Sequence, residues 1–321
     1  MADLPFDSRV RYLGVLAALD CAGLSSGRVL DVGGFPGAFA RFCAANGAPF
    51  TVHTADTAQG DLENYTRLAP GAPLPFPDRA FDAVVSVDTL EHVPTPARHG
   101  FLAELCRAAD RAVVVAAPFH HDATAAAEQA LDALHRQVRG APHPWLSEHR
   151  EHGLPRVAPF LAAIPPEFRL EAARPNAPLL PWTLWQAFEL ARQFRDAFEE
   201  PARHWDSACN SSIADGSFPA GALPYRVVWT LRRGGVEQPL PAFLAEFESH
   251  GGADAALAPA LAGMLGALVA AAAVPAGADV LRHAIDERLA AAMRLLEQQA
   301  GRRGPAADGP RRWSWFRREP D

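Results

Sequence analysis

An acidic residue, three glycines and a second acidic residue open the list of side chains that could do chemistry: Asp31, Gly33, Gly34, Gly37 and Asp56. The first four lie in VLDVGGFPGAFARFCA, Val29 to Ala44, and the last closes TAD at residues 54–56. A short apolar run ends in Asp31, a glycine-bearing turn follows, and then an amphipathic pattern begins. That order predicts strand, loop and helix. Glycine has no Cβ, so a ligand can approach the backbone closely at such a turn. A carboxylate at the end of the next strand can accept hydrogen bonds from both hydroxyls of a ribose. Together they suit a ligand that carries a nucleoside.

A second group is rich in histidine. His120 and His121 follow the run RAVVVAAPF. His143, His149 and His152 lie in HPWLSEHREH, interleaved with Glu148 and Glu151. Asp88, Glu91 and His92 follow the run DAVVSV. In open α/β sheets the carboxyl ends of the strands form the rim of the site. His120, His121 and His92 are therefore candidates for a base that removes a proton from a reacting group. His149 and His152 are three apart, on one face of a helical turn. That spacing also suits a metal but matches no zinc motif, and no metal is expected. The alternative for these residues is helix capping and solvated surface.

Positioning such groups requires a sheet. Apolar runs at Arg28–Gly33, Phe50–Asp56, Asp82–Val87 and Arg111–Phe119 read as buried strands, with a short strand at Asn64–Leu68. Helices are predicted over residues 8–21, Pro36–Asn46 and from Thr95 to about Ala109, the last with Thr95 as N-cap and Pro96 at the first helical position. The alternation predicts a doubly wound, mostly parallel α/β sheet of seven strands. Beyond Phe119 the pattern predicts helices at Ala123–Arg139 (capped by Asp122), Val157–Ile164 and Leu184–Glu199. Strands follow at Phe168–Ala173 and Tyr225–Arg232. The segment Pro181–Phe198 carries Trp182, Trp185, Phe188 and Phe194, which read as core or as a cover over a substrate.

Composition narrows the function classes. The 321-residue chain is 49% hydrophobic and has a net charge of −7. It contains no lysine, so every basic side chain is arginine or histidine. The acid balance argues against nucleic-acid binding through phosphate contacts. Cys21, Cys43, Cys106 and Cys209 form no CxxC pair, and a reducing cytoplasm is expected. The start, MADLPFDSRV, lacks the apolar stretch of a signal peptide.

The chain resembles the class I S-adenosylmethionine (SAM)-dependent methyltransferases, particularly the group that includes methyltransferases acting on small molecules and ubiquinone precursors. The residues that carry the resemblance are LDVGGFPG, TAD, LPFPDRAFDAVVSVDTLEHVP at 74–94 and RAVVVAAPF at 111–119. The resemblance covers residues 25–120 firmly and 120–234 in outline. It implies SAM as cofactor, held by Asp31, Gly33, Gly34, Phe35, Gly37, Asp56, Thr57, Leu74 and Asp88, and a small-molecule methyl acceptor. Two positions depart from the family pattern. Phe35 stands where relatives often have a glycine, and Pro70 where many carry an acidic residue for adenine. The rival reading is a methyltransferase-like binding protein without turnover. A dinucleotide oxidoreductase is disfavoured, because GGFPGA lacks the glycines of GxGxxG in register.

The domain limits expected are 1–234 for the sheet domain, 235–300 for an α-helical extension and 301–321 for a disordered tail. Residues 255–278 carry no charge, yet Leu257, Leu261, Met264, Leu265 and Leu268 form a single stripe interrupted by Pro259 and Pro275. A soluble helix is expected there rather than a membrane span. Pairing of two chains through these helices, and contact of the Arg/Trp tail with an anionic membrane, are left open.

Overall fold

The computed structural model describes residues 4–193, 198–212, 218, 222–236 and 238–248. The extension and tail expected beyond residue 248, and Phe194, lie outside the described residues. Seven strands form one sheet: β1 (Gly27–Val32), β2 (Phe50–Asp56), β3 (Tyr65–Arg67), β4 (Phe81–Val87), β5 (Ala109–Pro118), β6 (Phe168–Pro178) and β7 (Pro224–Arg233). Their order is β3-β2-β1-β4-β5-β7-β6. The first five strands are mutually parallel, and β7 runs antiparallel to both β5 and β6. The predicted doubly wound sheet is therefore observed.

Side chains of alternate residues in these strands leave by opposite faces. Val29, Val85 and Val114 pack with Tyr12, Val15 and Leu19 of α1 (Phe6–Cys21) and with Phe39 and Phe42 of α2 (Ala38–Ala45). Leu30, Val84, Val113 and Trp229 pack on the other face with Leu102 and Leu105 of α3 (Arg98–Ala108) and Phe160 of α6 (Val157–Ala162). Strands covered on both faces explain the near-continuous apolar runs. Burial pushes the thiols of Cys43, Cys106 and Cys209 up to about 12, as expected of core cysteines.

A third cluster lies beside the strand ends. It joins Phe6 and Val10 to Leu131 and Leu134 of α4 (Asp122–Arg139) and to Trp182 and Trp185 of α7 (Leu179–Arg192). Trp182 stacks on Tyr225 with ring centroids 3.3 Å apart, and its indole N–H donates to Asp7. Trp185 donates to Asp206 of α8 (Glu199–Ser212). Trp182, Trp185 and Phe188 are thus core.

The last strand, β7, ends at Arg233, and the chain leaves the sheet at Gly234. Leu244 and Phe247, in a short turn and the helix α9 (Ala245–Glu248), join the cluster around Trp229. Among the described residues no helix is long and apolar enough to cross a membrane.

Candidate active site

In a sheet of this order the strand sequence reverses between β1 and β4, and a crevice opens at their carboxyl ends. Asp31, Gly33, Gly34 and Phe35 lie there, together with Asp88 and Thr89 after β4. Gly33 has φ +81°, and a Cβ on it would run into the Thr89 side chain. A Cβ on Gly34 would run into the Asp31 carboxylate. Gly37 has φ +78° at the entry to α2. Glycine is therefore required by close packing at two positions and favoured by backbone conformation at Gly33 and Gly37.

The Phe35 N–H donates to Asp56 Oδ2 at 3.0 Å, and the Ala58 N–H donates to Oδ1 at 2.9 Å. The glycine turn and the loop after β2 thus share one carboxylate. Each oxygen has a second lone pair, so Asp56 can still accept from ligand hydroxyls. The Phe35 ring lies against Gly60 and meets the Tyr65 ring at 5.9 Å, so the loop after β2 accommodates it because residue 60 is glycine. Thr57 is exposed beside them.

Asp31 is 2% exposed. Burial and the nearby Asp56 carboxylate push its acid up to about 7, against the pull of Arg11. An incoming cation would favour its charged form.

Leu74 is buried in the core, where its backbone is clamped. Its N–H donates to Glu104 Oε2 at 2.8 Å, and its carbonyl accepts from Arg107 Nη2 at 2.9 Å. Arg107 also reaches the Phe76 carbonyl at 2.7 Å. The LPFPD segment is thereby fixed to α3. Leu74 belongs to the core cluster with Leu30, Val32 and Ala55.

Asp88 sits at φ +47° and belongs to a charge network. Arg226 Nε lies 2.5 Å from Asp88 Oδ1 and its Nη2 lies 2.7 Å from Asp7 Oδ1, while Arg11 bridges Asp7 and Asp88. Arg226 is 1% exposed. Only the structure reveals this partner: nothing around Arg226 in YRVVWTLR marks it as other than a strand residue.

The histidines separate into two groups. His121 is the N-cap of α4, its Nδ1 accepting from the Ala123 N–H at 3.0 Å, in the place expected for Asp122. Its ring also lies 5.7 Å from that of Phe247. His120 donates its backbone N–H to the Pro155 carbonyl at 2.7 Å. His92, in the turn Leu90–His92, faces His149 of α5 (Pro144–His152), with ring centroids 4.7 Å apart. His92 Nδ1 lies 2.7 Å from Glu148, and His149 Nδ1 lies 2.9 Å from Glu128, which also accepts from the Tyr225 hydroxyl. Burial and His149 lower the His92 pKa, so its imidazole is already neutral within the usual histidine range. His152 takes no part in this group; its carbonyl accepts from the Thr95 hydroxyl.

Residues 30–117 match the family model described as a methyltransferase domain. The resemblance drawn from the motifs is borne out over this segment. No curated protein matches the sequence. Solved structures similar to the chain include a putative sarcosine dimethylglycine methyltransferase from Galdieria sulphuraria, at 13% identity and a TM-score of 0.43, covering 69% of this chain and 84% of that one. A putative methyltransferase from an antibiotic biosynthesis pathway of Anabaena variabilis is 14% identical, with a TM-score of 0.43 and coverage of 70% and 99%. A putative methyltransferase from Bacillus halodurans is 14% identical, with a TM-score of 0.34 and coverage of 69% and 99%.

Proposed function

We propose that the protein transfers a methyl group from S-adenosylmethionine to an oxygen, nitrogen or carbon atom of a small molecule or of a lipid- or sugar-linked metabolite. The observation that carries this reading is the joint between Gly33–Phe35 and Asp56 at the reversal of strand order. There a glycine-bearing turn and a carboxylate with remaining acceptor capacity stand together at the strand ends. The matched methyltransferase segment, residues 30–117, contains this joint.

In this reading Gly33 and Gly34 let the cofactor meet the backbone, Asp56 accepts from the ribose hydroxyls, and Asp31 balances positive charge on the methionine portion. When bound, SAM supplies an electrophilic methyl on a sulfonium sulfur and leaves as S-adenosylhomocysteine. The protein contributes mainly by holding the acceptor in line with the bond that breaks. His92 turns Nδ1 to Glu148 and Nε2 to His149, so both of its ring nitrogens are engaged within the protein. His121 is committed to capping α4 through Nδ1.

The test is calorimetric titration with SAM, S-adenosylhomocysteine and NAD, followed by a search for a methylated product in metabolite pools. Micromolar binding of the first two alone supports the reading. Binding of none, or of NAD in preference, overturns it. SAM binding with no product from any pool favours a binding protein without turnover.

A further inference from the structure

Three donor groups from two separated segments meet beside the cleft. Oxygen of Glu91 and ring nitrogens of His92 and His149 all lie within 4.8 Å of one another. Glu91 is 1% exposed, and its Oε2 is buried with no hydrogen-bond partner. An unpaired buried carboxylate oxygen is costly and needs a reason. The two histidines point their Nε2 atoms at each other across 3.4 Å. Each turns its Nδ1 to a carboxylate, Glu148 for His92 and Glu128 for His149. Donation from Nδ1 leaves both neutral Nε2 atoms as acceptors, with lone pairs face to face. A cation between them resolves that conflict.

We propose that Glu91, His92 and His149 form a binding site for one divalent transition-metal ion of the zinc type. Two imidazoles and one carboxylate are a ligand set that zinc accepts with a further position open. Zinc–nitrogen bonds of about 2.0–2.1 Å in a tetrahedron place the donor atoms roughly 3.3 Å apart. The Nε2–Nε2 separation already matches this, and only the Glu91 carboxylate must swing inward. Carboxylates on the outer nitrogens of metal-bound histidines orient the rings and raise their basicity. Glu128 is itself fixed by the Tyr225 hydroxyl at 3.0 Å. The two segments are also tied together away from the donors. Thr95 donates to the His152 carbonyl at 2.6 Å, and Arg98 donates to the carbonyls of Val93 and Gly153. His92 keeps 27% of its side chain exposed, which leaves a route for the ion.

The experiment is titration of chelator-treated full-length protein with Zn²⁺ alone, repeated with Co²⁺ to read its visible absorption. One equivalent of Zn²⁺ is expected, with an intense Co²⁺ band of a four- or five-coordinate site. His92→Ala and His149→Ala should each weaken binding by at least 100-fold, and Glu148→Ala by about 10-fold. His92 is partly exposed, so its variant serves if His149→Ala does not fold, as judged by circular dichroism. Absence of stoichiometric binding, or unchanged binding in folded His92→Ala, overturns the proposal. No SAM is present in this measurement, so its result stands apart from that of the methyl-transfer reading.

Discussion

The Phe35 N–H and the Asp56 carboxylate, 3.0 Å apart, join the turn after β1 to the end of β2. One side chain thereby shapes the glycine turn and keeps further acceptor capacity on its oxygens. Asp56→Ala should lower SAM affinity by about 10–100-fold, since hydrogen bonds to a charged group contribute roughly 1.5–3 kcal/mol each. Calorimetry checks this. Unchanged affinity would show that the ribose is held elsewhere.

Gly34 and Asp31 share a space that admits no Cβ. Gly34→Ala should therefore lower both thermal stability and SAM binding, typically by a few kcal/mol of overpacking. In an Asp31→Ala background the same substitution should cost much less stability, because the carboxylate it strikes is gone. A double-mutant cycle of melting temperatures measures that coupling. Additive effects would place the clash elsewhere.

Asp31 sets a pH dependence. Its acid is held at about 7 in the folded protein against an ordinary 3.8. The folded state binds the proton more tightly than the unfolded chain. This contribution to stability is fully present below pH 3.8 and lost as pH rises through 7, on the order of 4 kcal/mol in all. Asp31→Asn should consequently stabilise the protein at pH 8 relative to wild type and change little at pH 4, in urea titrations at both pH values. SAM, a cation, should bind more tightly to the wild type as pH rises from 6 to 8, and the Asn variant should lose that trend.

Asp88 lies beside the candidate cleft, yet its partners are Arg11 and Arg226. Removing Arg226 leaves Asp7 and Asp88 to share Arg11 alone, and breaking a buried charge pair costs roughly 3–5 kcal/mol. Arg226→Ala should lower the unfolding free energy by about that amount, read as a lower urea midpoint. Asp88→Ala should also destabilise the chain, and a change confined to SAM affinity would mean that the network matters less than the cleft.

The strands were readable because each is an apolar run covered on both faces, and the glycine turn because its residues are adjacent. Other features depend on distant partners. The helix expected at Leu184–Glu199 misses the start of α7 and the whole of α8; Pro181 and Pro201 stand in their first turns, where proline is tolerated. Thr95 has the local character of an N-cap, but its hydroxyl goes to the His152 carbonyl and a short 3₁₀ turn precedes α3. The meeting of His92 with His149 depends on where α5 docks. His149 and His152 are three apart in sequence, yet His149 faces His92 while the His152 carbonyl meets Thr95.

The placement of β7 has a consequence for the birth of the protein. It is synthesised last of the seven strands but occupies an interior position, pairing with β5 through Ala112–Pro118 and with β6 through Phe168–Pro178. While the ribosome is still working through residues 179–223, β5 presents an unpaired edge and β6 has no sheet to join. The nascent chain must pass through this stage with a buried-type strand uncovered, a form prone to pairing with other chains. Demand for chaperones is expected to peak just before Pro224 emerges, and a stop codon there would remove the keystone of the sheet rather than trim its border.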